Sequence, residues 1–521
     1  MKRLIEKFAA HVKGCITGFD RIVFKGLIMP LLTARGAMDF CMARGILFKD
    51  YKSWMMRHTR SLVDAADGYA KSNCGIGIVN LPTYRTRKEE VARQRQQEKQ
   101  IDTGLIGVWS CQESGNSYRA RFSEGRGYPE LRFYPTVCKH LYFYFAHPEF
   151  GFMNVRLQTW FPYHIQISLN GREWLKRSLN GQRIDFIAKG NKLLHISDYD
   201  TAQTILDSQL DVRWTDLLNG FLPTVFPMME DILGPFLSYY WTVWQSEWAS
   251  DLIFDSLSSL NPIMDSLIRH AHITGTSTRV LRYMDRPLKL DGKPRRNSKD
   301  EVLTRLMDFN DGIRIKHWAN SNSVKVYNEQ NVLRLETTIN KPESFKVFRH
   351  KRGQSPNEKK TRLSIRKGVA DMTLRARVSQ EVNDQFASDL ASLHESTPVR
   401  EVFGDVIRRP SQNGKHFRAL APIGKDQELL QAISDPSFRV SAITNKELRE
   451  HLKKTKWGAK RTDKQLSSRI SRHLQLLRIH GIIRKLPNQH KYQMTLKGVR
   501  LCNTLNAVLS ASTENLIKNA A

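Results

Sequence analysis

The stretch SRISRHLQLLRIHGIIRKLPNQHKYQMTLKG, residues 468–498, determines how the C-terminal part of this chain is interpreted. It continues a helix whose apolar residues share one face, at Leu466, Ile470, Leu474 and Leu477. Gly481 ends that helix. Two short strands follow, IIRKL and KYQMTL, and residues 487–490 form the turn between them. The stretch therefore predicts a helix, a two-stranded wing and a further helix that starts near Lys497.

The residues just before this stretch predict a second helix. Thr444 or Asn445 caps the helix NKELREHL, and a connector with Gly458 leads to the longer helix. The order helix, helix, two strands with a wing, and helix resembles that of winged helix-turn-helix proteins such as the MarR and ArsR groups. The resemblance covers about the last eighty residues of the chain. It implies a DNA-binding domain at residues 441–521.

The charge of the chain is concentrated in two stretches. The sequence holds 82 Lys and Arg against 51 Asp and Glu, a formal net charge of +31. Residues 341–377 contain 12 basic and 3 acidic residues, a net charge of +9, and residues 444–500 contain 16 and 3, a net charge of +13. Such focusing indicates a polyanionic partner, and the one we expect is nucleic acid, either DNA or structured RNA.

The predicted nucleic-acid contacts fall in three groups. The exposed face of the longer helix offers Lys464, Ser467, Ser468, Arg469, Ser471 and Arg472. The wing carries Arg484, Lys485, His490 and Lys491. The upstream basic stretch adds Arg349, Lys351, Arg352, Lys359 and Lys360 for phosphate contacts. The alternative is a winged helix that contacts protein and has an incidentally basic surface.

The pattern of the whole chain predicts an α+β fold with several domains. Residues 105–169 alternate with a period of two, which is typical of an antiparallel β-meander, and GCITGFDRIVFKG around Asp20 predicts an earlier strand. The expected regions are a mostly helical one at 1–103, the β-meander at 104–182, a mainly helical one at 183–285, strand hairpins with a basic linker at 286–378, a helical connector at 379–440 and the winged helix at 441–521.

One candidate metal site lies in FPYHIQISLN. His164 and Gln166 alternate there, so both side chains lie on one face of a strand. Rolling-circle replication initiators hold a divalent ion with a similar pair, and the short motif resembles theirs. The expected ligands are His164, Gln166 and Glu336, and the expected ion is Mg²⁺ or Mn²⁺. A polar strand position beside aromatic residues is the alternative interpretation.

A candidate catalytic group lies in VKVYNEQNVLRLETTIN, which predicts two strands and a tight turn. The pattern loosely resembles a strand pair of some plasmid replication initiators, and it places Arg334 and Glu336 on one strand face. Carboxylates that hold a metal ion serve phosphodiester hydrolysis. The candidate catalytic residues are Glu336, Asp251 and Glu247, with Asp20 as a further strand-associated acid. An Arg-x-Glu pair that forms a surface or interface ion pair is the alternative.

Composition narrows the class of protein. The six cysteines form no CxxC pair, which argues against a zinc finger or a disulfide scaffold. The most apolar window, residues 217–244, is interrupted by prolines and acids, so we expect no membrane partner and a cytoplasmic protein.

Nucleic-acid binding, in a mobile element or in DNA or RNA processing, is the leading expectation. A metal-dependent nuclease or nickase and a non-catalytic ribonucleoprotein component are the alternatives; catalysis and oligomeric state stay open.

Overall fold

The computed structural model contains two compact units. It describes residues 1–81, 87–122, 125, 127, 129–235, 237–286, 302–309, 312–351, 353–355, 357–391, 399–412, 414–435, 438, 442–459, 461–486 and 489–510. The first unit comprises Met1–Gly275 and Asp300–Ala391, and the second comprises Thr276–Lys299 and Ser392–Ala521. Helices and strands both contribute extensively, so the predicted α+β class is confirmed.

The strands are β1 (Val12–Leu27), β2 (Val79–Asn80), β3 (Gly104–Phe122), β4 (Pro129–His147), β5 (Gly151–Gln158), β6 (Ile165–Asn170), β7 (Phe186–Lys189), β8 (Lys192–Ile196), β9 (Tyr240–Phe254), β10 (Leu303–Phe309), β11 (Gly312–Ala319), β12 (Asn322–Glu329), β13 (Val332–Ile339), β14 (Lys346–Arg349), β15 (Thr361–Ser364), β16 (Ser411–Gln412), β17 (Lys415–His416), β18 (Ile483–Lys485) and β19 (Tyr492–Met494).

The α-helices are α1 (Lys2–Lys7), α2 (Ala34–Ala43), α3 (Tyr51–Cys74), α4 (Lys88–Glu98), α5 (Gly171–Gly181), α6 (Tyr199–Ser208), α7 (Trp214–Asn219), α8 (Leu222–Val225), α9 (Met229–Leu233), α10 (Leu257–Thr274), α11 (Ser277–Tyr283), α12 (Met372–Leu390), α13 (Val399–Ile407), α14 (Gln427–Ile433), α15 (Asn445–Leu452), α16 (Asp463–Ile479) and α17 (Leu496–Ser510). Short 3₁₀ helices span Met29–Leu32, Phe48–Asp50, Pro342–Ser344 and Val369–Asp371.

One sheet of 11 strands forms the centre of the first unit. Its order is β10-β11-β12-β13-β9-β1-β6-β5-β4-β3-β2, and all neighbours are antiparallel except β2 and β3. Strands β3 to β6 form the predicted meander. The regions expected at 1–103, 104–182, 183–285 and 286–378 all contribute strands to this one sheet.

The two faces of the sheet differ because polar and apolar residues alternate along its strands. On one face Phe19, Ile22, Phe24, Ile165 and Ile167 join a core that α3 and α12 help to build. The other face, which we call the polar face, carries half-buried or exposed side chains in β1, β5 and β6, such as Arg21, Lys25, Asn154, Arg156, Gln166 and Ser168. At one end of this face, α5, α6 and the hairpin β7–β8 cover an apolar patch around Ile16, Ile253 and Val332.

The second unit has its own core. Its apolar residues include Leu448 and Leu452 of α15, Leu466 to Leu477 of α16, and Leu501 and Leu505 of α17. Strands β18 and β19 pair antiparallel over three residues each. The element order in residues 445–510 is therefore helix, helix, two-stranded hairpin, helix, in the order that the sequence predicts.

Candidate nucleic-acid interface

Helix α16 is anchored at both of its ends and along one face. Thr462 and Gln465 form a capping box, in which each side chain bonds the backbone of the other residue. The predicted apolar face is buried, at Leu466, Ile470, Leu474 and Leu477. Gly481, which follows the helix, has φ +70°, a left-handed conformation that glycine adopts without steric cost. The opposite face of α16 is left for polar side chains.

A groove of about 1010 Å³ runs along this polar face of α16. It is bounded on the other side by residues 416–418, which follow the hairpin β16–β17. Five cations line it, and none of the described residues in its lining is acidic; the cations are Arg418, Arg461, Lys464, Arg469 and Arg472. A concave surface with one sign of charge attracts and concentrates an anionic partner.

Arg469 is held in the groove by a tryptophan. Its guanidinium carbon lies 3.8 Å from the centroid of the Trp457 ring, and its Nη1 donates to Trp457 O at 2.9 Å. Arg461 Nη1 donates to the same carbonyl at 3.0 Å. Burial lowers the pKa of Arg469, and the charge of Arg461 acts in the same direction. Two guanidinium groups are therefore fixed side by side.

Arg418 is positioned by a buried carboxylate. Its two terminal nitrogens donate to the two oxygens of Asp426 at 2.7 Å each. Burial by itself would raise the pKa of Asp426, but hydrogen bonds from Arg418 and the Ala421 amide outweigh burial and lower it. Arg418 Nη2 also lies 3.1 Å from His473 Nε2, while His473 Nδ1 lies 2.8 Å from the Arg469 carbonyl. Arg418 thus enters the groove in one fixed orientation.

The structure brings most of the predicted helix residues together. Lys464, Ser468, Arg469 and Arg472 all line the groove. Ser467 does not, because positions 467 and 471 lie one turn apart on the side of α16 that faces α15. Ser467 Oγ donates to Asn445 Oδ1 at 3.0 Å, and Asn445 Nδ2 bonds Ser471 Oγ at 2.9 Å. Ser467, predicted as a nucleic-acid contact, thus forms a contact between two helices and does not line the groove.

Sequence reasoning missed several groove residues. Arg418, Arg461 and His473 line the groove but were not among the predicted contacts. Arg418 lies 51 positions before Arg469 and joins the site only through the tertiary fold. The Arg and Lys content of residues 456–464 is a local signal by which Arg461 could have been predicted.

The wing residues stand on the β18–β19 hairpin. Arg484, Lys485, His490 and Lys491 are exposed. Arg484 Nη2 donates to Gln493 Oε1 at 2.8 Å across the hairpin. Residues 487 and 488 of the predicted turn lie outside the described residues. The wing therefore presents cations to solvent, as the sequence predicts.

The upstream basic stretch lies in the first unit. Arg349 is held by its own hairpin, because its Nη2 donates to Ser364 O at 2.8 Å. Lys351, Lys359 and Lys360 are exposed, and Arg352 lies outside the described residues.

The expected metal ligands lie in different parts of the sheet. Gln166 is opposite Lys25 of β1, whereas Glu336 is opposite Ala249 of β9, which pairs with Gly18 of β1. Seven residues separate Gly18 from Lys25, so Gln166 and Glu336 are about 20 Å apart along the strands. Among the described residues, no group of three His, Cys, Asp or Glu is arranged to hold a metal ion. The structure does not bring His164, Gln166 and Glu336 together.

The candidate catalytic acids are engaged by cations. Arg334 Nη2 donates to Asp251 Oδ2 at 2.7 Å and its Nη1 to Asp20 Oδ1 at 3.0 Å. Glu336 accepts from the Tyr327 hydroxyl at 3.0 Å and pairs with Lys325 at 2.7 Å. Asp251, Glu336 and Arg334 are buried. Arg334 and Glu336 therefore each pair with other residues inside the protein.

Glu247 differs from the other acids. Its Oε1 accepts from Gln245 Nε2 at 2.7 Å. Burial raises the pKa of Glu247, and the nearby Glu336 carboxylate adds to that effect.

Comparisons with protein-family models, with curated proteins and with solved structures find no match to this chain. Over the described residues, no helix combines the length and the apolar character needed to cross a lipid bilayer.

Proposed function

We propose that residues 441–521 of the second unit act as a winged helix-turn-helix that binds nucleic acid, with α16 as the element that enters the major groove. The groove along α16 carries this proposal, because five cations line it and the described residues of its lining include no acid. Folding places these like charges together, so the site gains free energy when phosphates neutralise them.

The polar side chains on α16 suit duplex recognition. Ser468 and Arg472 are exposed one turn apart on the groove side, which is the arrangement by which a recognition helix reaches base edges and flanking phosphates. The exposed wing cations Arg484 and Lys485 belong to the same unit and supply further phosphate contacts. The groove along α16 therefore offers two kinds of contact. Contacts with phosphates position the protein on the duplex, and contacts with base edges give sequence specificity.

The test is equilibrium binding of the full chain to a fluorescent DNA duplex, followed by anisotropy. The variant Lys464→Gln/Arg472→Gln removes two groove cations, and Arg478→Gln is its control because Arg478 is exposed on the same helix but does not line the groove. We expect the double variant to lose at least tenfold in affinity, which is about 1.4 kcal/mol, and the control to lose less than twofold. Equal losses in the two variants would contradict the proposal and favour a protein-binding role for this surface.

A further inference from the structure

The polar face of the sheet in the first unit carries a row of polar side chains across four strands. Arg156 of β5 lies opposite Gln166 of β6, Gln166 opposite Lys25 of β1, and Lys25 opposite Thr242 of β9. Beyond the end of β13, the backbone of Lys367 continues the sheet beside β9, with Val243 N donating to Lys367 O at 2.7 Å. Lys25, Arg156 and Lys367 are therefore close to one another on one side of the sheet.

These cations surround an exposed tryptophan. The Lys25 ammonium lies 4.8 Å and the Lys367 ammonium 6.0 Å from the centroid of the Trp244 ring, and Trp244 is 50% exposed. The pKa of Lys25 is lowered by burial and by the charges of Arg156 and Lys367. In the part of the chain that the structure describes, no carboxylate forms an ion pair with Lys25, whereas Lys367 lies 3.8 Å from Glu343 and Arg156 Nη2 lies 3.5 Å from Glu113. The group therefore has an excess of positive charge.

A second row of cations lies on the same face, on the other side of β9. Arg305, Lys316 and Lys325 are directly opposite one another on β10, β11 and β12. Like charges opposite one another destabilise a sheet, and the one anion in the row, Glu336, pairs with Lys325. Burial lowers the pKa of Lys316, and the charge of Lys325 lowers it further.

The second row also borders a tryptophan. The Lys316 ammonium lies 4.5 Å and the Arg305 guanidinium 5.8 Å from the centroid of the partly buried Trp318 ring. Strand register places Trp318 level with Glu247, three strands away. From the strand spacing and rise, Trp244 and Trp318 are about 17 Å apart on the face. Glu247 lies on the same face, and burial together with the Glu336 carboxylate raises its pKa.

The stability of the sheet does not explain why these two rows are basic. A solvated face needs polar residues, but it does not need cations directly opposite one another beside partly exposed indole rings. Aromatic rings that stand on a sheet beside basic side chains are the physical basis of single-strand recognition, because bases stack on the rings and phosphates contact the cations. A duplex keeps its bases stacked within itself and cannot use the rings in this way.

We propose that the polar face binds single-stranded nucleic acid, with Trp244 and Trp318 as stacking platforms and with Lys25, Arg156, Lys367 and Lys316 as phosphate contacts. This site belongs to the first unit and does not depend on the groove along α16. The two binding activities are therefore separable by mutation.

The test uses the full chain, a fluorescent oligothymidylate and a DNA duplex of the same length. Trp244→Ala removes one stacking platform, and Lys25→Gln/Lys367→Gln removes two cations. Lys52→Gln is the control, because Lys52 is an exposed lysine of α3, the helix that packs on the opposite face. We expect about a tenfold loss of single-strand affinity for Trp244→Ala and for the double lysine variant, and no loss for the control.

The duplex measurements separate this proposal from the previous one. The polar-face variants should leave duplex affinity within twofold of the wild type, and Lys464→Gln/Arg472→Gln should leave single-strand affinity unchanged. Single-strand affinity that survives both polar-face variants would overturn the proposal. An equal loss of binding to polyglutamate or to anionic vesicles would overturn it as well, because the face would then bind anions without using the rings. Far-ultraviolet circular dichroism checks that each variant is folded. If Trp244→Ala does not fold, Lys25→Gln/Lys367→Gln provides the test.

Discussion

The guanidinium of Arg469 lies 3.8 Å from the ring centroid of Trp457 and donates a hydrogen bond to that residue's carbonyl oxygen. The ring and the carbonyl fix the arginine before any ligand arrives, so binding does not have to immobilise a free side chain. Arg461 bonds the same carbonyl. The loop at Trp457 therefore organises the basic groove along α16.

Arg469→Ala should weaken duplex binding. Because the guanidinium is preorganised, its loss should cost about 1–3 kcal/mol if it contacts a base and less if it contacts phosphate alone. Titration of a labelled duplex measures the change, with Arg478→Ala as the control on the same helix. An affinity that Arg469→Ala does not alter would remove this residue from the interface.

Replacement of two neighbouring serines by alanine should have opposite effects on stability and on duplex affinity. Ser467 donates to Asn445 of α15, so Ser467→Ala should lower the free energy of unfolding by about 1 kcal/mol and leave duplex affinity unchanged. Ser468 is exposed in the groove, so Ser468→Ala should weaken binding and leave stability within about 0.5 kcal/mol of the wild type. Urea unfolding and anisotropy on both variants measure the two effects. The reverse outcome would mean that α16 is rotated relative to the structure.

Arg334→Gln should strongly destabilise the first unit. It removes one of the two buried arginines that Asp251 and Asp20 share, Arg172 being the other, and breaking a buried ion pair costs about 3–5 kcal/mol. Arg35→Gln removes an exposed pair with Asp39 on α2 and should cost no more than about 0.5 kcal/mol. Urea unfolding compares the two. Similar small losses would show that Arg334 is not needed to neutralise the acids.

Buried histidines should make the first unit sensitive to mild acid. Burial lowers the pKa of His164 to about 3, with Lys25 and Arg156 acting in the same direction, and burial lowers the pKa of His140 and His317 to about 4. An unfolded histidine takes up its proton near the ordinary value of 6.5, so between the two values the unfolded state binds more protons. The free energy of unfolding should therefore fall as the pH falls from about 6.5 towards 4.

His164→Gln provides the matching variant. Its unfolding midpoint, measured by thermal melts at several pH values, should depend less steeply on pH over this range than that of the wild type. An unchanged dependence would mean that His164 is protonated in the folded protein.

Local patterns predicted the elements better than they predicted the contacts between them. The alternation in GCITGFDRIVFKG indicated β1, and the spacing of Leu466, Ile470, Leu474 and Leu477 indicated the buried face of α16; both are confirmed. Those signals depend on neighbours within a few residues. The pairing of Asp251 with Arg334, 83 positions apart, depends on β9 lying between β1 and β13, and no local pattern specifies that strand order.

The candidate site shows the same limit. The helix cations Lys464, Arg469 and Arg472 could be predicted because they are opposite the apolar face of the same helix. Arg418 could not, because Asp426 and the tertiary fold direct it into the groove. Ser467 lies outside the groove, where Asn445 of another helix provides its hydrogen-bond partner. Arg418 and Ser467 are thus both positioned by a partner residue that the local sequence pattern around them does not reveal.

The salt dependence of duplex binding tests the central proposal most directly. The logarithm of the binding constant of the full chain should fall linearly with the logarithm of the salt concentration, because each phosphate contact releases a counterion. Lys464→Gln/Arg472→Gln should reduce the magnitude of that slope by about 2, one for each cation removed, while Arg478→Gln should leave it unchanged. A slope near zero for the wild type, or the same slope for the wild type and the double variant, would contradict nucleic-acid binding in this groove.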